Sequence, residues 1–208
     1  MAHTQIKTDV YTFDLLSDGA KEKARDWYRQ ASAGDDFGAD CVIEDAKAIL
    51  KHAGWDISKV NYSGFSSQGD GACFEGAWSA KGVNVAAMKE AAPLDTELHR
   101  IAEDLAKVAA ALPLSSGGVK QSGHYYHEYC TRFEFEASEE KEDAETNLAI
   151  NSAEDDFIEA SRDAMRWIYR QLEKDWEFQN SDETAGENIL ANEYTFTEAG
   201  KRFGMGGE

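Results

Sequence analysis

The 208-residue chain carries 40 acidic and 21 basic residues, a formal net charge of −19, well beyond the magnitude of about 2 to 8 that keeps a small domain soluble. Phosphate groups and anionic membranes attract clustered basic residues, so this charge disfavours direct nucleic-acid or membrane binding and favours basic proteins or cations as partners. A domain of this length buries about 70% of its unfolded surface, so its core needs no disulfide or metal.

The first half of the chain contains both β-rich runs and amphipathic helical patterns. Ser17 is placed as an N-cap, and the Asp70-Gly71 dipeptide is typical of a tight hairpin turn. Pro93 and Asp95 introduce a run with apolar residues at i, i+3, i+4 and i+7. The predicted elements are a strand at 6–13, helices at 18–30 and 39–52, a hairpin at 60–78, and a helix ending near 112.

The second half opens with an aromatic segment in which Phe133 and Phe135 alternate with charged residues, which predicts one long strand over 119–137. A helix is expected over 153–178, with Ser152 and Asp155 as a capping box. A last strand is expected over 190–196, followed by a frayed tail at 203–208.

These elements lack the regular β-α-β alternation of a parallel sheet. They predict a single α+β domain spanning residues 1–208, with three to five helices packed on a mainly antiparallel sheet. A Tyr-Thr-Phe triplet occurs at 11–13 and again at 194–196, but three residues are too few to define an internal repeat.

The negative charge is concentrated in one part of the chain. Residues 134–188 hold 18 acidic and five basic residues, a net charge of −13. A row of carboxylates imitates the spacing of phosphates and would attract a basic protein surface; the alternative is a solvated surface that only keeps the protein soluble. The candidate partner-binding residues are Glu134, Glu136, Glu139, Glu140, Glu142, Asp143, Glu145, Glu154, Asp155 and Asp156.

The Gly-rich stretch from Gly64 to Gly69 matches the GxxxxG part of a phosphate-binding loop. Asp70 and Gly71 follow where that motif needs Lys and Ser or Thr, and the stretch also lacks the GxSxG pattern of a hydrolase nucleophile. The residues therefore indicate a turn, and the alternative is a loop that contacts a ligand. The candidate ligand loop consists of Ser66, Ser67, Gln68 and Asp70.

The segment His124-Tyr-Tyr-His-Glu-Tyr129 holds the densest group of side chains able to bind a metal or move a proton. On a strand, His124 and Glu128 would share one face and His127 would lie on the other. A metal site would then need Asp70 or Glu75 of the hairpin in addition to His124 and Glu128. Aromatic packing between strands is the favoured interpretation, and the sequence predicts no cofactor and no catalytic residue.

Compartment and redox state follow from three further observations. Cys41, Cys73 and Cys130 are an odd number without a CxxC pair, which favours reduced thiols. The first residues lack the basic and apolar regions of a signal peptide, and no run of about 18 apolar residues occurs. We therefore expect a cytoplasmic protein.

Five runs of the chain carry a resemblance to known proteins. They are VYTFDLLSDGAKEKARDWYRQ at 10–30, NYSGFSSQGDGACFEG at 61–76, SGHYYHEYC at 122–130, RWIYRQLEKDWEF at 166–178 and NEYTFTEAGKR at 192–202. These runs resemble a group of bacteriophage-encoded proteins whose members are often labelled antitoxins of toxin–antitoxin systems. The resemblance covers most of the chain and implies a phage protein in the host cytoplasm, but it carries no established catalytic residues.

Charge and resemblance together suggest a non-enzymatic inhibitor that covers the basic surface of a host defence or nucleic-acid-processing complex, as anti-CRISPR proteins and DNA mimics do. An antitoxin that neutralises a toxin protein is the first alternative, and a neighbouring toxin gene would distinguish it. A metal-dependent enzyme using the face of His124 and Glu128 is the second. The target and the oligomeric state do not follow from the sequence.

Overall fold

The computed structural model describes residues 7–34, 37–111, 114–137 and 144–204 of the chain. Within these residues the helices are α1 (Asp18–Ala31), α2 (Phe37–Leu50), α3 (Val85–Ala91), α4 (Thr96–Ala111), α5 (Ala144–Gln179) and α6 (Asp182–Ala191). The strands are β1 (Tyr11–Thr12), β2 (Ala53–Tyr62), β3 (Ala72–Val83), β4 (Leu114–Gln121), β5 (Thr131–Ala137), β6 (Thr195–Phe196) and β7 (Arg202–Phe203). The expected α+β class with antiparallel sheets is confirmed.

Packing divides the chain into two compact units, one formed by residues 39–173 and one by residues 1–38 with 174–208. The larger unit contains a four-stranded antiparallel sheet in the order β2-β3-β4-β5. Trp55 pairs with Trp78 between β2 and β3, and Val119 pairs with Phe133 between β4 and β5. Because side chains alternate along a strand, this register places the aromatic and aliphatic residues on one face of the sheet.

Helices α4 and α5 cover that apolar face. Phe157 of α5 is fully buried, and its ring lies 4.9 Å from the ring of Trp78 and 5.5 Å from those of Trp55 and Phe135. On α4, Leu98, Ile101, Leu105 and Val108 form a buried stripe at helical spacing. The opposite face of the sheet carries exposed polar residues, among them Lys59, Lys120, Arg132 and Glu134.

The smaller unit is built from the two ends of the described chain. Strand β1 pairs with β6, with Tyr11 opposite Phe196 and Thr12 opposite Thr195, so two residues of each Tyr-Thr-Phe triplet lie side by side in one sheet. Strand β7 completes the order β1-β6-β7. The hydrophobic core cluster of this unit consists of Phe13, Leu16, Ala20, Ala24, Ile189 and Phe196.

The single long strand expected over 119–137 is wrong. Residues 114–121 and 131–137 form the two strands β4 and β5, and the segment 122–130 is the loop between them. Gly123 adopts φ +95°, which only glycine adopts readily, and the N–H of Ser122 donates to the carbonyl of Cys130 across the loop base. The aromatic residues of this segment are typical of a strand, although its backbone forms a loop.

Helix α5 begins at Ala144, well before the expected start at residue 153, so Ser152 and Asp155 lie inside the helix and form no capping box. Ile150 is buried and extends the apolar stripe upstream. Helices α3 and α6 were not expected. Ser181 caps α6 by accepting a hydrogen bond from the N–H of Thr184 at 3.1 Å.

The strands expected at the two ends are shorter in the structure. The expected strand at 6–13 is reduced to β1 followed by a 3₁₀ turn at Phe13–Leu15, and the one at 190–196 is reduced to β6 after the last residues of α6. The expected frayed tail at 203–208 begins within β7, and residues 205–208 lie outside the described residues. No described helix combines the length and the apolar character that crossing a membrane requires.

Candidate protein-binding surface

Two loops lie against each other in the larger unit. Loop 63–71 joins β2 to β3, and loop 122–130 joins β4 to β5. A Cβ atom added to Gly71 would lie 2.9 Å from Cδ2 of His127 and 3.3 Å from the carbonyl oxygen of Tyr126. The absence of a side chain at Gly71 therefore allows the two loops to pack directly, which brings together the two polar motifs that the sequence placed far apart.

Loop 63–71 is held by the carboxylate of Asp70. One oxygen of Asp70 accepts hydrogen bonds from the backbone N–H groups of Ser66 at 3.0 Å and of Ser67 at 2.6 Å. This is the turn-forming chemistry of an aspartate side chain, which agrees with the interpretation of the segment as a turn. Ser66, Ser67 and Gln68 are exposed at its tip.

Aromatic contacts of Phe65 also hold loop 63–71 in place. The ring of Phe65 lies 6.1 Å from the ring of Tyr62 and 5.4 Å from that of Tyr169 on α5. The hydroxyl of Tyr169 donates to the carbonyl oxygen of Gly64 at 2.9 Å. The start of loop 63–71 therefore contacts α5 through Tyr169, and its end is held by the hydrogen bonds of Asp70 within the loop.

The base of loop 122–130 is fastened by Glu128, which is 8% exposed. Its carboxylate oxygens lie 3.1 Å from Nε of Arg166 on α5 and 2.9 Å from Nδ1 of His127. A buried carboxylate is costly without such partners, so its position depends on Arg166. The hydroxyl of Thr131 also donates to the carbonyl oxygen of Glu128 at 2.7 Å.

Tyr129 continues this anchoring through its ring. The ring stacks on that of His127, with centroids 5.4 Å apart, and the guanidinium of Arg162 lies 4.7 Å from its centroid. Arg166 lies 5.9 Å from the same centroid. Both are distances at which a cation is attracted to an aromatic face. Tyr129 therefore already binds two arginines within the protein.

The tip of loop 122–130 is exposed. Tyr125 is 65% exposed and Tyr126 39%, and the ring of His124 lies edge to face against the ring of Tyr125 at 5.3 Å. Tyr125, Tyr126 and Tyr129 are three of the eleven large apolar side chains that are exposed in the described part of the chain. We call the exposed residues His124, Tyr125, Tyr126, Ser66, Ser67 and Gln68 the loop surface.

The candidate metal ligands have separate partners. His124 lies against Tyr125, Glu128 binds Arg166 and His127, and Asp70 holds its own turn. Among the described residues, no group of three or more His, Cys, Asp or Glu side chains is placed to hold a metal ion. The expectation that His127 lies on the face opposite Glu128 is wrong, because the segment is a loop in which the two side chains meet.

Cys73 is fully buried beside these loops in the larger unit. Burial raises the pKa of its thiol to about 11, with smaller contributions from Cys130 and Glu75 in the same direction. The thiol therefore stays protonated and unreactive at neutral pH. All three cysteines are free thiols, as expected from the sequence.

The acidic stretch is described only in part. Glu134 is exposed, 3.5 Å from Nζ of Lys120, and the backbone of Glu136 pairs with that of Ser116. Glu145 lies in α5, and only its backbone is described. Glu139, Glu140, Glu142 and Asp143 lie outside the described residues. Further along α5, Glu154 is half-buried, and Asp155 and Asp156 are exposed.

The arginines of α5 are engaged within the protein. Arg166 forms ion pairs with Glu128, Glu159 and Asp163, and Arg170 pairs with Glu97 of α4. Partial burial alone would lower the pKa of Arg166, but its hydrogen bonds to Glu159, Glu128 and Tyr129 outweigh this and raise the pKa above its ordinary value. The pairs with Glu128 and Glu97 link elements far apart in sequence, which a search for i, i+4 pairs along the helix does not find.

A shallow groove of about 280 Å³ runs between α4 and α5. Arg100 spans it, pairing with Asp104 at 3.2 Å and with Asp163 at 2.6 Å. Four carboxylates and two cations line the groove, so its formal charge is negative although Arg100 and Lys107 offset part of it. Its lining residues are Arg100, Asp104, Lys107, Asp156, Glu159, Ala160 and Asp163.

Comparison with known proteins assigns a family. No curated protein and no solved structure matches the chain. A family model does match, over residues 39–182, which include both loops and all of α5. The chain belongs to the family described as a domain of unknown function, DUF8835.

Proposed function

We propose that the chain is a bacteriophage-encoded, non-enzymatic protein that acts in the host cytoplasm, where it inhibits a defence or nucleic-acid-processing complex by covering that complex's basic surface. The proposal requires a surface whose carboxylates attract cations and are not all neutralised by basic residues of the same protein. One observation carries it: residues 134–188 have a net charge of −13, and the three arginines of this segment are already held by carboxylates or aromatic rings of the protein.

The internal pairs decide how much negative charge is left for a partner. Arg166 alone is shared by three carboxylates, so its single charge cannot neutralise all of them. Asp155 and Asp156 are exposed on α5 in addition. A cationic partner would therefore find carboxylates that the protein does not compensate, and exposed charges of this kind accelerate and orient association.

The distribution of charge supports this proposal over a merely solubilising role. A solubilising charge would be spread over the chain, whereas residues 1–133 carry a net charge of only −5. Direct nucleic-acid binding is disfavoured by the same count, because it requires a clustered basic surface. A basic protein remains the partner that the electrostatics favour.

The test uses a variant in which Glu139, Glu140 and Glu142 become Gln and Asp143 becomes Asn. The matched control replaces four exposed acids elsewhere, by Asp9→Asn, Asp14→Asn, Glu22→Gln and Glu90→Gln. Both variants change the total charge equally. We expect the wild-type protein to co-purify from host cells with a nucleic-acid-processing complex, and its affinity for that complex to fall as salt is raised.

The first variant should lose both the binding and the inhibition of the purified complex, whereas the control should keep most of both. Circular dichroism would establish that the two variants remain folded. Equal activity of both variants would reduce the charge to a solubilising role. Recovery of a complex without a basic surface would contradict the proposal directly.

A further inference from the structure

We propose that the loop surface is the part of the protein that recognises arginine side chains of its partner. The proposal rests on the basic partner inferred above and adds a contact that charge alone does not provide. Its chemistry is the attraction between a guanidinium group and the faces of Tyr125 and Tyr126. Ser66, Ser67 and Gln68 supply hydrogen-bonding groups beside them.

Composition is the first argument. Loops 63–71 and 122–130 together consist mainly of Gly, Ser, Tyr and His, and neither contains a lysine or an arginine. Tyrosine supplies a large contact area with few rotatable bonds, and serine and glycine supply adaptable hydrogen bonding, which is why binding loops favour these residues. Tyrosine is also enriched among the residues that contribute most to interface affinity.

Rigidity is the second argument. Asp70 closes one loop, and the buried Glu128 fastens the other to Arg166. Gly71 allows the two loops to pack against each other. The loops that carry the exposed rings are therefore held in place before a partner binds. Binding then loses less conformational entropy in these loops, which favours affinity.

The lack of repelling cations in the loops favours a basic partner. Neither loop contains a lysine or an arginine, so a guanidinium approaching the tip meets the aromatic faces of Tyr125 and Tyr126. The same loop already shows the interaction, because the guanidinium of Arg162 lies 4.7 Å from the ring centroid of Tyr129. Tyr125 and Tyr126 offer the same ring type at 65% and 39% exposure.

The experiment compares two fluorescein-labelled probes of equal charge, octa-arginine and octa-lysine, by fluorescence anisotropy at one ionic strength. Arginine stacks on aromatic rings better than lysine does, so the wild-type protein should bind octa-arginine about fivefold more tightly. The double variant Tyr125→Ala/Tyr126→Ala should lose this preference while keeping the affinity for octa-lysine. Tyr125→Phe/Tyr126→Phe should retain it, because the ring faces remain.

Phe178→Ala is the matched control, since Phe178 is an aromatic residue that is 62% exposed outside the loops. It should leave the preference unchanged. Equal affinity of the wild-type protein for the two peptides would overturn arginine recognition by the loop surface, but it would not contradict the proposal that the partner is basic. Binding of neither peptide overturns both. Light scattering that shows a dimer dissociated by Tyr125→Ala/Tyr126→Ala would assign the surface to a second copy of the chain and also overturn the proposal.

Discussion

The two compact units differ in the interactions that stabilise them. In the larger unit, the rings of Trp55, Trp78, Phe133 and Phe135 all lie within 6.0 Å of the ring of Phe157, at the centre of an extensive apolar core. The smaller unit has a core cluster of six apolar side chains among its described residues and joins segments from the two ends of the chain. The difference implies that the larger unit depends on core volume, whereas the smaller one depends on single backbone and polar contacts.

The largest effect is expected for Phe157→Ala, which removes the ring at the centre of the larger core. Replacing a fully buried phenylalanine by alanine costs about 3–5 kcal/mol, because apolar contacts are lost and a cavity remains. Urea denaturation should show a loss of unfolding free energy in this range. Hydrogen exchange should increase most in β2 to β5.

Phe178→Ala on the same helix is the control, and it should change the unfolding free energy by less than about 0.5 kcal/mol because Phe178 is 62% exposed. Equal effects of the two substitutions would mean that the aromatic core contributes less than its burial implies.

An intermediate effect is expected for Gly200→Ala in the smaller unit. Gly200 has φ +81°, and an added Cβ would lie 2.2 Å from the backbone oxygen of Ala20. The substitution should cost about 2 kcal/mol or more, because both the backbone angle and the contact are unfavourable for alanine. Hydrogen exchange should rise in α1 and α6, and residues 39–173 should keep their protection.

Gly204→Ala provides the comparison, since an added Cβ there meets no atom within 4 Å. It should leave exchange and stability nearly unchanged. A loss of protection from hydrogen exchange in β2 to β5 of the Gly200→Ala protein would contradict the expectation that the substitution destabilises the smaller unit alone.

The smallest effect is expected for Asp182→Asn, at the start of α6. A hydrogen bond from Arg29, with a further contribution from the charge of Arg25, lowers the pKa of Asp182 below its ordinary value of 3.8. A carboxyl group whose pKa is lowered by folding stabilises the folded state above its unfolded pKa, and this contribution is lost as the pH falls through the lowered value. Asp182→Asn should therefore be less stable than wild type at neutral pH.

The two proteins should converge in urea denaturation as the pH falls below 3.8, the ordinary pKa of this group. Glu183→Gln, a change at the next exposed residue, is the control. The difference between its unfolding free energy and that of wild type should depend less on pH. A constant difference between Asp182→Asn and wild type across this range would contradict the role of the ion pair.

The sequence predicted those parts of the fold that local pattern determines. The helix expected over 18–30 matches α1, and the apolar stripe ending near residue 112 matches α4. The hairpin expected over 60–78 matches β2 and β3. Helix α3 was missed because its seven residues are too few for a periodic pattern, although Asn84 caps it by accepting from the N–H of Ala87.

The candidate surface could be predicted only in fragments. Ser66, Asp70, His124 and Glu128 were identified by their chemistry, but their contacts depend on the packing of two loops through Gly71. The pair of Glu128 with Arg166 joins residues 38 positions apart, and no periodicity within a helix or strand indicates it. Treating 122–130 as a strand concealed the loop, because tyrosine has a high strand preference whether or not a strand is formed.

The pairing of β1 with β6 has a consequence for synthesis. Tyr11 emerges from the ribosome long before Phe196, its partner in the sheet, whereas every strand of the four-stranded sheet has been made once residue 137 is complete. Contacts so distant in sequence form late, because the intervening chain must first be brought together. During translation, the sheet that carries both loops can therefore assemble before the first residues of the chain find their partner.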